Sequence, residues 1–325
     1  MPKDNSDIMA NFWDMYLKTK DISYLAAAAE KAPFFGQKEM SNKIGSLIRK
    51  QKKNNINLNK KRYSFPNRIV CLTEETTEVL YDLGAEDLIV GISGYTVRPQ
   101  KARQEKPKVS AFQSAKIDKI VSLNPDLVLG FSDIQADICS ELIRRGINVH
   151  CFNQRSLIEI FHMIEFLSRL VDLKDRGYKY INLLQNGLDR ITKKSKSFRL
   201  RPKVYFEEWD QPMISGIKWV SELISLAGGN DIFADLSQES LAKNRIIKNP
   251  QIVIERNPDI IIASWCGKKV NKEKIIKREG WDKITAIKKN RIYEIKSPVI
   301  LQPGPAALKV GVKELHKIFF EWQNQ

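Results

Sequence analysis

One long stretch of helical periodicity without proline, from Ser156 to Phe198, constrains the fold more than any other part of the chain. Its apolar residues recur at gaps of three and four, which places them along one stripe of a helix. Strand-like runs precede the stretch up to Phe152 and follow it from Val204. A long helix between two such halves predicts a strut that fixes how the halves face each other. The alternative is an ordinary crossover helix within a single sheet.

A break in this periodicity divides the stretch in two. Asp172 is placed to cap the helix that follows, so residues 156–170 belong to the first half and residues 174–196 form the connector. At about 1.5 Å per residue the connector is ~35 Å long. Gly177 and Gly187 lie within it, and each is expected to weaken the helix by ~1 kcal/mol relative to alanine.

Both halves alternate short apolar runs with amphipathic segments, which is the pattern of strands and helices around a parallel sheet. The clearest internal similarity joins residues 117–130 and 250–263. Each reads as an amphipathic helix, then Asn-Pro-Asp, then a buried strand. Proline ends the helix, and aspartate is expected to satisfy backbone groups of the turn. Two such segments in opposite halves predict two similar lobes rather than a solenoid.

The first fifth of the chain is basic and reads differently. Residues 8–53 predict two or three short helices, at 8–17, 22–31 and 41–53, followed by a basic linker. The whole chain has a net charge of +16, which favours anionic partners without identifying one. The basic run contains no aromatic residues and no convincing helix-turn-helix spacing. We therefore interpret it as a solvated helical appendage, with nucleic-acid binding as the weaker alternative.

The N-terminus and the cysteines predict a cytoplasmic protein. No apolar core of about 7–15 residues follows a basic start, as a secretory signal requires. No run approaches the ~18 apolar residues of a membrane span, and Cys71 follows no lipobox-like region. The four cysteines, which form no CxxC pair and fit no zinc template, are expected to be reduced and mostly buried. They are Cys71, Cys139, Cys151 and Cys266.

Candidate ligand-binding residues stand mostly where predicted strands end, because sites on parallel α/β sheets lie beyond the carboxyl ends of the strands. Large aromatic residues around a few polar groups suit a bulky, flat, partly polar ligand; for each aromatic the alternative is core packing. The candidates are Tyr95, Phe112, Gln113, Phe131, Asp133, Asn153, Glu208, Trp209, Trp219, Arg245, Trp265 and Gln302. Cys266 is a weak candidate for a metal thiolate.

The motifs of catalysis are missing from the sequence. The three histidines form no HExxH, and there is no GxSxG, GxGxxG or P-loop. Glu207, Glu208 and Asp210 form a carboxylate cluster that would suit acid–base work or a cation, and the alternative is the polar lip of a cleft. We predict a protein that is not an enzyme and requires no cofactor.

From Arg68 to Phe320 the chain resembles the helical-backbone substrate-binding proteins of ABC importers for cobalamin, iron-siderophores and haem, and most of all the cobalamin-binding branch. The order and spacing of several short motifs carry the resemblance. These motifs are residues 68–72, Thr77-Glu78, Leu83-Gly84, residues 90–93, 107–110, 124–128, 214–216 and 226–230, Asn257-Pro258-Asp259 and Gly304-Pro305-Ala306.

The resemblance implies an α/β fold of two Rossmann-like lobes with parallel sheets, joined by one long backbone helix, to which this chain adds a small α-helical N-terminal extension. The boundaries we expect are an extension and linker at 1–62, a first lobe at 63–172, a connecting helix at 173–198 and a second lobe at 199–325.

The family further implies a ligand held between the lobes, little hinge closure, a permease partner if the chain is exported, and a monomer. Cobalamin-binding members hold the corrin with aromatic side chains. Phe112 matches one such position, whereas Glu207 and the neighbourhood of Arg245 match two others. The alternative function is a cytosolic enzyme or metallochaperone that handles a tetrapyrrole or corrinoid with the same two-lobed fold.

Overall fold

The computed structural model describes residues 5–19, 23–24, 27 and 65–325. The chain divides into two compact units, Met1–Phe65 and Pro66–Gln325. In the first unit, helix α1 spans Asn5–Thr19, which confirms the helix predicted at 8–17. Most of the helix predicted at 22–31, the whole of that at 41–53 and the linker lie outside the described residues.

The second unit contains two sheets, and the first is parallel with the strand order β3-β2-β1-β4-β5. Its strands are β1 Ile69–Cys71, β2 Ile89–Ser93, β3 Lys108–Ser110, β4 Leu127–Phe131 and β5 Val149–Phe152. The helices that accompany them are α2 Glu74–Asp82, α3 Gln100–Glu105, α4 Ile117–Ser122, α5 Ala136–Arg144 and α6 Leu157–Leu170. The central strand β1 is wholly buried, as its run of branched apolar residues predicts.

The second sheet has the order β10-β9-β6-β7, with β8 paired to β6. Its strands are β6 Lys203–Asp210, β7 Met213–Ser215, β8 Asn230–Asp231, β9 Ile260–Ala263 and β10 Ile292–Glu294. Its helices are α8 Lys218–Ala227, α9 Gln251–Arg256, α10 Lys272–Ile276, α11 Thr285–Lys288, α12 Ser297–Ile300 and α13 Val312–Gln323, the last preceded by a π-helical turn at Ala307–Gly311. The two lobes and their parallel pairing confirm the predicted fold class.

One strand of the second sheet departs from the sequence-based expectation. Strand β7 runs antiparallel to β6 and pairs with it as far as Asp210. Residues 207–210, which include the candidates Glu208 and Trp209 that we expected where a strand ends, therefore lie within the strand. Their side chains alternate between the two faces of the sheet instead of projecting together beyond its edge.

The Asn-Pro-Asp segments play the same part in both lobes. Asn124 and Asn257 have φ of 46° and 42° and end their helices in the left-handed conformation. The Asp126 carboxylate accepts the backbone N–H of Arg68 at 2.9 Å, just before β1, and Asp259 accepts that of Lys203 at 2.9 Å, at the start of β6. The aspartates thus bind the central strand of each sheet, rather than groups of their own turn as we expected.

The connector α7 spans Lys174–Ser195, which confirms the predicted strut. The chain reaches it from α6, which begins with a capping box in which Ser156 and Glu159 bond each other's backbone N–H groups. The predicted cap at Asp172 is wrong: the N-cap residue of α7 is Leu173, without a side-chain bond. Asp172 instead has φ of 57°, so it reverses the chain between the two helices.

The predicted weakness at Gly177 is also wrong, because α6 and α7 approach each other closely there. A Cβ atom on Gly177 would lie 2.3 Å from the Cβ atom and 2.1 Å from the Oγ atom of Ser168. Rotation of the Ser168 hydroxyl would relieve the second contact but not the first. A Cβ atom on Gly187 would meet nothing within 4 Å, so at that position the ordinary helix propensity applies.

We expect Gly177→Ala to lower the free energy of unfolding by ~1–3 kcal/mol through overpacking. Gly187→Ala, in the same helix, should raise it by ~0.5–1 kcal/mol. Urea unfolding of both variants and the parent chain measures the difference. Equal stabilisation by the two alanines would contradict the close packing of α6 against α7.

Candidate ligand-binding cleft

Hydrogen bonds tie the segment after β5 to the second lobe. The backbone N–H of Trp219 donates to the Arg155 carbonyl at 3.0 Å, and that of Leu157 donates to the Glu222 carboxylate at 2.7 Å. The Gln154 amide donates to the Pro303 carbonyl at 3.1 Å. Each of these three bonds uses at least one backbone group, so the bonds hold the two lobes at one mutual orientation.

Arg155 organises the first-lobe wall of the cleft. Its Nη2 atom donates to Asp133 at 3.2 Å and to Asn153 at 2.8 Å, and its guanidinium carbon lies 5.3 Å from the centre of the Phe131 ring. Asp133 and Asn153 follow the adjacent parallel strands β4 and β5, whose carboxyl ends meet at one edge. Burial lowers the pKa of Arg155, and the charge of Asp133 partly offsets that shift.

Arg245 organises the second-lobe wall. Its side chain is 1% exposed, and its two terminal nitrogens bind the Glu208 carboxylate at 2.6 and 3.0 Å. It also donates to the Ser215 carbonyl of β7. This two-point contact between planar groups fixes the guanidinium in one orientation.

The two arginines lie within electrostatic range of each other across the lobes. Burial and Asp133 have the larger effects on the pKa of Arg155. In addition, the charge of Arg245 lowers this pKa and the charge of Glu208 raises it. In the described part of the chain, the Nε atoms of both arginines are buried without a hydrogen-bond partner. Each guanidinium group therefore keeps one N–H donor without a partner among the described residues, and burial separates both donors from solvent.

Trp209 follows Glu208 near the end of β6 and contacts a different set of residues. Its indole is partly exposed and donates to the Gln211 carbonyl at 2.9 Å. The Lys268 ammonium lies 4.0 Å from the centre of the indole and binds Asp210 at 2.5 Å. Burial would raise the pKa of Asp210, but Lys268 and a second lysine, Lys274 at 2.7 Å, hold it below its usual range.

The carboxylate cluster of β6 does not form a joint acid–base or cation site. Glu207 is fully buried and binds Arg278, Glu208 binds Arg245, and Asp210 binds lysines. Each acid is therefore neutralised by its own base. Within residues 65–325 and the described part of the N-terminus, no group of three or more His, Cys, Asp or Glu side chains could hold a metal ion. Cys266 has no such companions, and burial and Glu208 raise its pKa.

Three predicted aromatic ligands lie in the core rather than in the cleft. Trp219 and Trp265 are each 3% exposed, and Phe131 is 5% exposed. The Trp219 indole donates to the Ile300 carbonyl at 2.9 Å, and that of Trp265 donates to Glu207 at 3.1 Å. Both indoles thus combine apolar burial with a satisfied N–H group, which is the core-packing alternative.

The remaining candidates lie at or near the carboxyl edges of the two sheets. Tyr95 is 52% exposed after β2, Phe112 is half-buried and Gln113 exposed after β3, and Gln302 is half-buried in the loop after α12. Gln135 holds Phe112 in place: its amide donates to the Phe112 carbonyl at 3.0 Å and accepts from the Phe131 N–H at 2.9 Å.

Sequence reasoning missed two residues of this region. Gln135 is fully buried and joins the ends of three strands, but a lone glutamine before a helix has no distinctive pattern. The position of Arg155 in the sequence offered a weak indication of its role, because it stands between a predicted strand end and the capping box at Ser156. A basic residue at that junction is held by the helix start on one side and the strand end on the other.

Two α/β lobes held by one helix, with opposed charged walls and aromatic residues at the sheet edges, define a ligand-binding protein of the two-lobed type. A family model described as periplasmic binding protein matches residues 69–299, and the chain belongs to this family. The family consists of substrate-binding proteins of transport systems rather than enzymes.

Relatives cover most of the described second unit. An uncharacterised ABC transporter substrate-binding lipoprotein of Bacillus subtilis, YvrC, is 25% identical over 77% of this chain and 79% of its own length. A vitamin B12-binding protein of Vibrio parahaemolyticus is 25% identical over 76% of this chain and 87% of its own. Nothing among these matches supports the enzyme or metallochaperone alternative.

Solved structures show the same fold. The periplasmic vitamin B12 binding protein of Vibrio cholerae superposes with a TM-score of 0.64 at 23% identity, covering 80% of this chain and 98% of that one. A heme complex of a S. aureus protein gives a TM-score of 0.67 at 19% identity, covering 78% and 99%.

The predicted cytoplasmic location is wrong. The relatives that match along most of their length are named as a lipoprotein and as periplasmic binding proteins. Among the described helices, none combines the length and the apolar character needed to cross a membrane.

Beneath the cleft, two buried carboxyl groups follow β1. Burial raises the pKa of Glu75 to about 7 from its ordinary 4.5, although the Thr73 hydroxyl donates to it at 2.6 Å and opposes the shift. Burial likewise raises the pKa of Glu74 to about 7. The Glu75 side chain packs against Gly304 of the second lobe, where an added Cβ atom would lie 2.5 Å from that of Glu75.

Because the folded state holds a proton on Glu75 that the unfolded state releases above about pH 4.5, this residue makes the fold less stable as the pH rises from about 4.5 to about 7. We therefore expect Glu75→Gln to raise the free energy of unfolding by ~1–3 kcal/mol at pH 8 and to change it little at pH 5. Denaturant unfolding at both pH values measures this. The exposed Glu255→Gln serves as control, and a Glu75→Gln effect of equal size at both pH values would contradict the assignment.

Proposed function

We propose that this protein works outside the cytoplasm as the substrate-binding component of an ABC importer, and that its ligand is a bulky metal chelate carrying acidic groups. The opposed pair of Arg155 and Arg245 carries the second part of the proposal. One chain supplies both walls of the cleft, which supports a monomer as the binding unit.

The charge distribution of the cleft favours an acidic ligand. Asp133 and Glu208 each neutralise one arginine, but the buried Nε–H groups of both arginines remain as donors. A carboxylate or phosphate placed between the walls would accept from them once the side chains that bury them move aside. Hydrogen bonds between charged partners in a partly desolvated cleft stabilise binding by about 1.5–3 kcal/mol each.

Aromatic side chains near the sheet edges suit the flat part of such a ligand. Tyr95, Phe112 and Trp209 each leave part of a ring accessible. The names of the relatives and structural neighbours include vitamin B12, heme and an Fe3+-hydroxamate transport system. Haem carries two carboxylates on a flat ring, whereas cobalamin carries a single phosphodiester and neutral amides, so the arginine pair favours a haem-like chelate over cobalamin.

Titration with haemin, cyanocobalamin and a ferric hydroxamate should give saturable changes in tryptophan fluorescence and in the visible spectrum with at least one of them. Arg155→Gln should weaken that binding by about 10–100-fold. Arg256→Gln is the matched control, because Arg256 forms a similar two-point pair with Asp235, at 3.0 and 3.0 Å, elsewhere on the second lobe.

The absence of saturable binding to all three chelates would refute the proposed ligand class. Equal weakening by Arg155→Gln and Arg256→Gln would show that the arginine acts through general charge rather than from the cleft. Thermal unfolding of both variants separates a loss of binding from a loss of folding.

The extracytoplasmic location has its own test. A C-terminally tagged chain, expressed in the organism that encodes it, should be digested by protease added to intact cells or to spheroplasts. A cytoplasmic enzyme serves as the protected control. Protection of the tagged chain to the same degree as that enzyme would refute the location and, with it, the transport role.

A further inference from the structure

Two of the four cysteines lie side by side behind the first-lobe wall. Cys151 stands opposite Gly130 in the pairing of β5 with β4, and Cys139 lies in α5, which follows β4. A Cβ atom on Gly130 would lie 2.9 Å from the Cys139 sulfur and 3.8 Å from the Cys151 sulfur. Because Gly130 has no side chain, the two thiols share the space above it.

The two thiols differ in character. The neighbouring Cys139 thiol, acting as a hydrogen-bond donor, lowers the pKa of Cys151 to about 7; burial opposes this shift and the charge of Arg155 supports it. The same interaction, together with burial, raises the pKa of Cys139. Cys151 is exposed and Cys139 is buried. An accessible thiolate beside a protonated, buried thiol is the arrangement of an attacking and a resolving cysteine.

The other two cysteines lack such a partner. Cys71 is fully buried in β1, and burial raises its pKa to about 12. Cys266 is exposed in the second lobe, where burial of its sulfur and Glu208 raise its pKa. The expectation of mostly buried thiols therefore holds for Cys71 and Cys139 and fails for Cys151 and Cys266.

We propose that Cys139 and Cys151 form a reversible dithiol–disulfide pair that links α5 to β5 behind the Asp133–Arg155 contact. The Cys151 thiolate attacks a small disulfide such as oxidised glutathione and releases one thiolate, leaving a mixed disulfide. Cys139 then loses its proton, attacks the Cys151 sulfur and releases the second thiol. Two protein thiols are oxidised to one disulfide while one small disulfide is reduced to two thiols.

The proposed disulfide exchange does not depend on which ligand the protein binds. An extracytoplasmic location would supply oxidants that maintain the disulfide, but the exchange needs only the two cysteines and a small disulfide. It can therefore be tested on the purified chain, and its outcome is separate from that of the chelate titration.

The test exposes the reduced full-length chain to excess oxidised glutathione, then quenches it with acid and alkylates the remaining thiols. We expect two of the four thiols to disappear and the intact mass to fall by two hydrogen atoms. Trypsin cleaves at Arg144 and Arg145, between the two cysteines, so the disulfide should join two separate peptides. Cys266→Ser should leave this result unchanged.

Cys139→Ser should accumulate a stable glutathione adduct on Cys151, because the resolving thiol is gone. Cys151→Ser should leave Cys139 reduced. Persistence of the adduct on Cys151 in the full-length parent chain, with Cys139 still alkylated, would overturn the inference. Four alkylated thiols, or a cross-link between Cys151 and Cys266, would overturn it as well.

Discussion

A single apolar core that runs through both lobes and the connector is the constraint on which the rest of the structure depends. It includes Ile164 of the first lobe, Leu184 and Leu188 of α7, and Leu223 of the second lobe. Moving one lobe away from the other would expose this shared surface to water, at about 25 cal/mol per Å². The spacing between Arg155 and Arg245 follows from that core, because each arginine is held by its own lobe.

Charges are also matched within each lobe. Each acid of the β6 segment forms an ion pair with its own basic residues, so these carboxylates position side chains and are not free to bind a cation. The Nε atoms of Arg155 and Arg245 keep no hydrogen-bond partner within the described part of the chain. Under the proposed function, the sign of a ligand's charge decides its binding before any detail of shape applies.

The elements that sequence predicted best are those specified by local patterns. The apolar stripe of α7 and the Asn-Pro-Asp segments each depend on a few neighbouring residues, and both appear close to the predicted bounds. What depends on distant contacts escaped prediction. From sequence alone Gly177 is expected to weaken α7, because the contact of α7 with Ser168 of α6 is not visible. Likewise, sequence does not show that the Trp219 indole is buried and bonded to Ile300. Residues 207–210 belong to a strand only because β7 pairs with them.

The hydrogen bond from the Arg68 N–H to the Asp126 carboxylate also has a consequence for the order of folding. The two residues are separated by 58 positions along the chain, and β1 pairs with β4 as well as with β2. During synthesis, β1 therefore leaves the ribosome well before the strand and the carboxylate that hold its start in register. Closing a loop of this length is slow compared with forming a hairpin. The central strand of the first lobe is thus made before the carboxylate that secures its start, and it waits for Asp126 to be held in register.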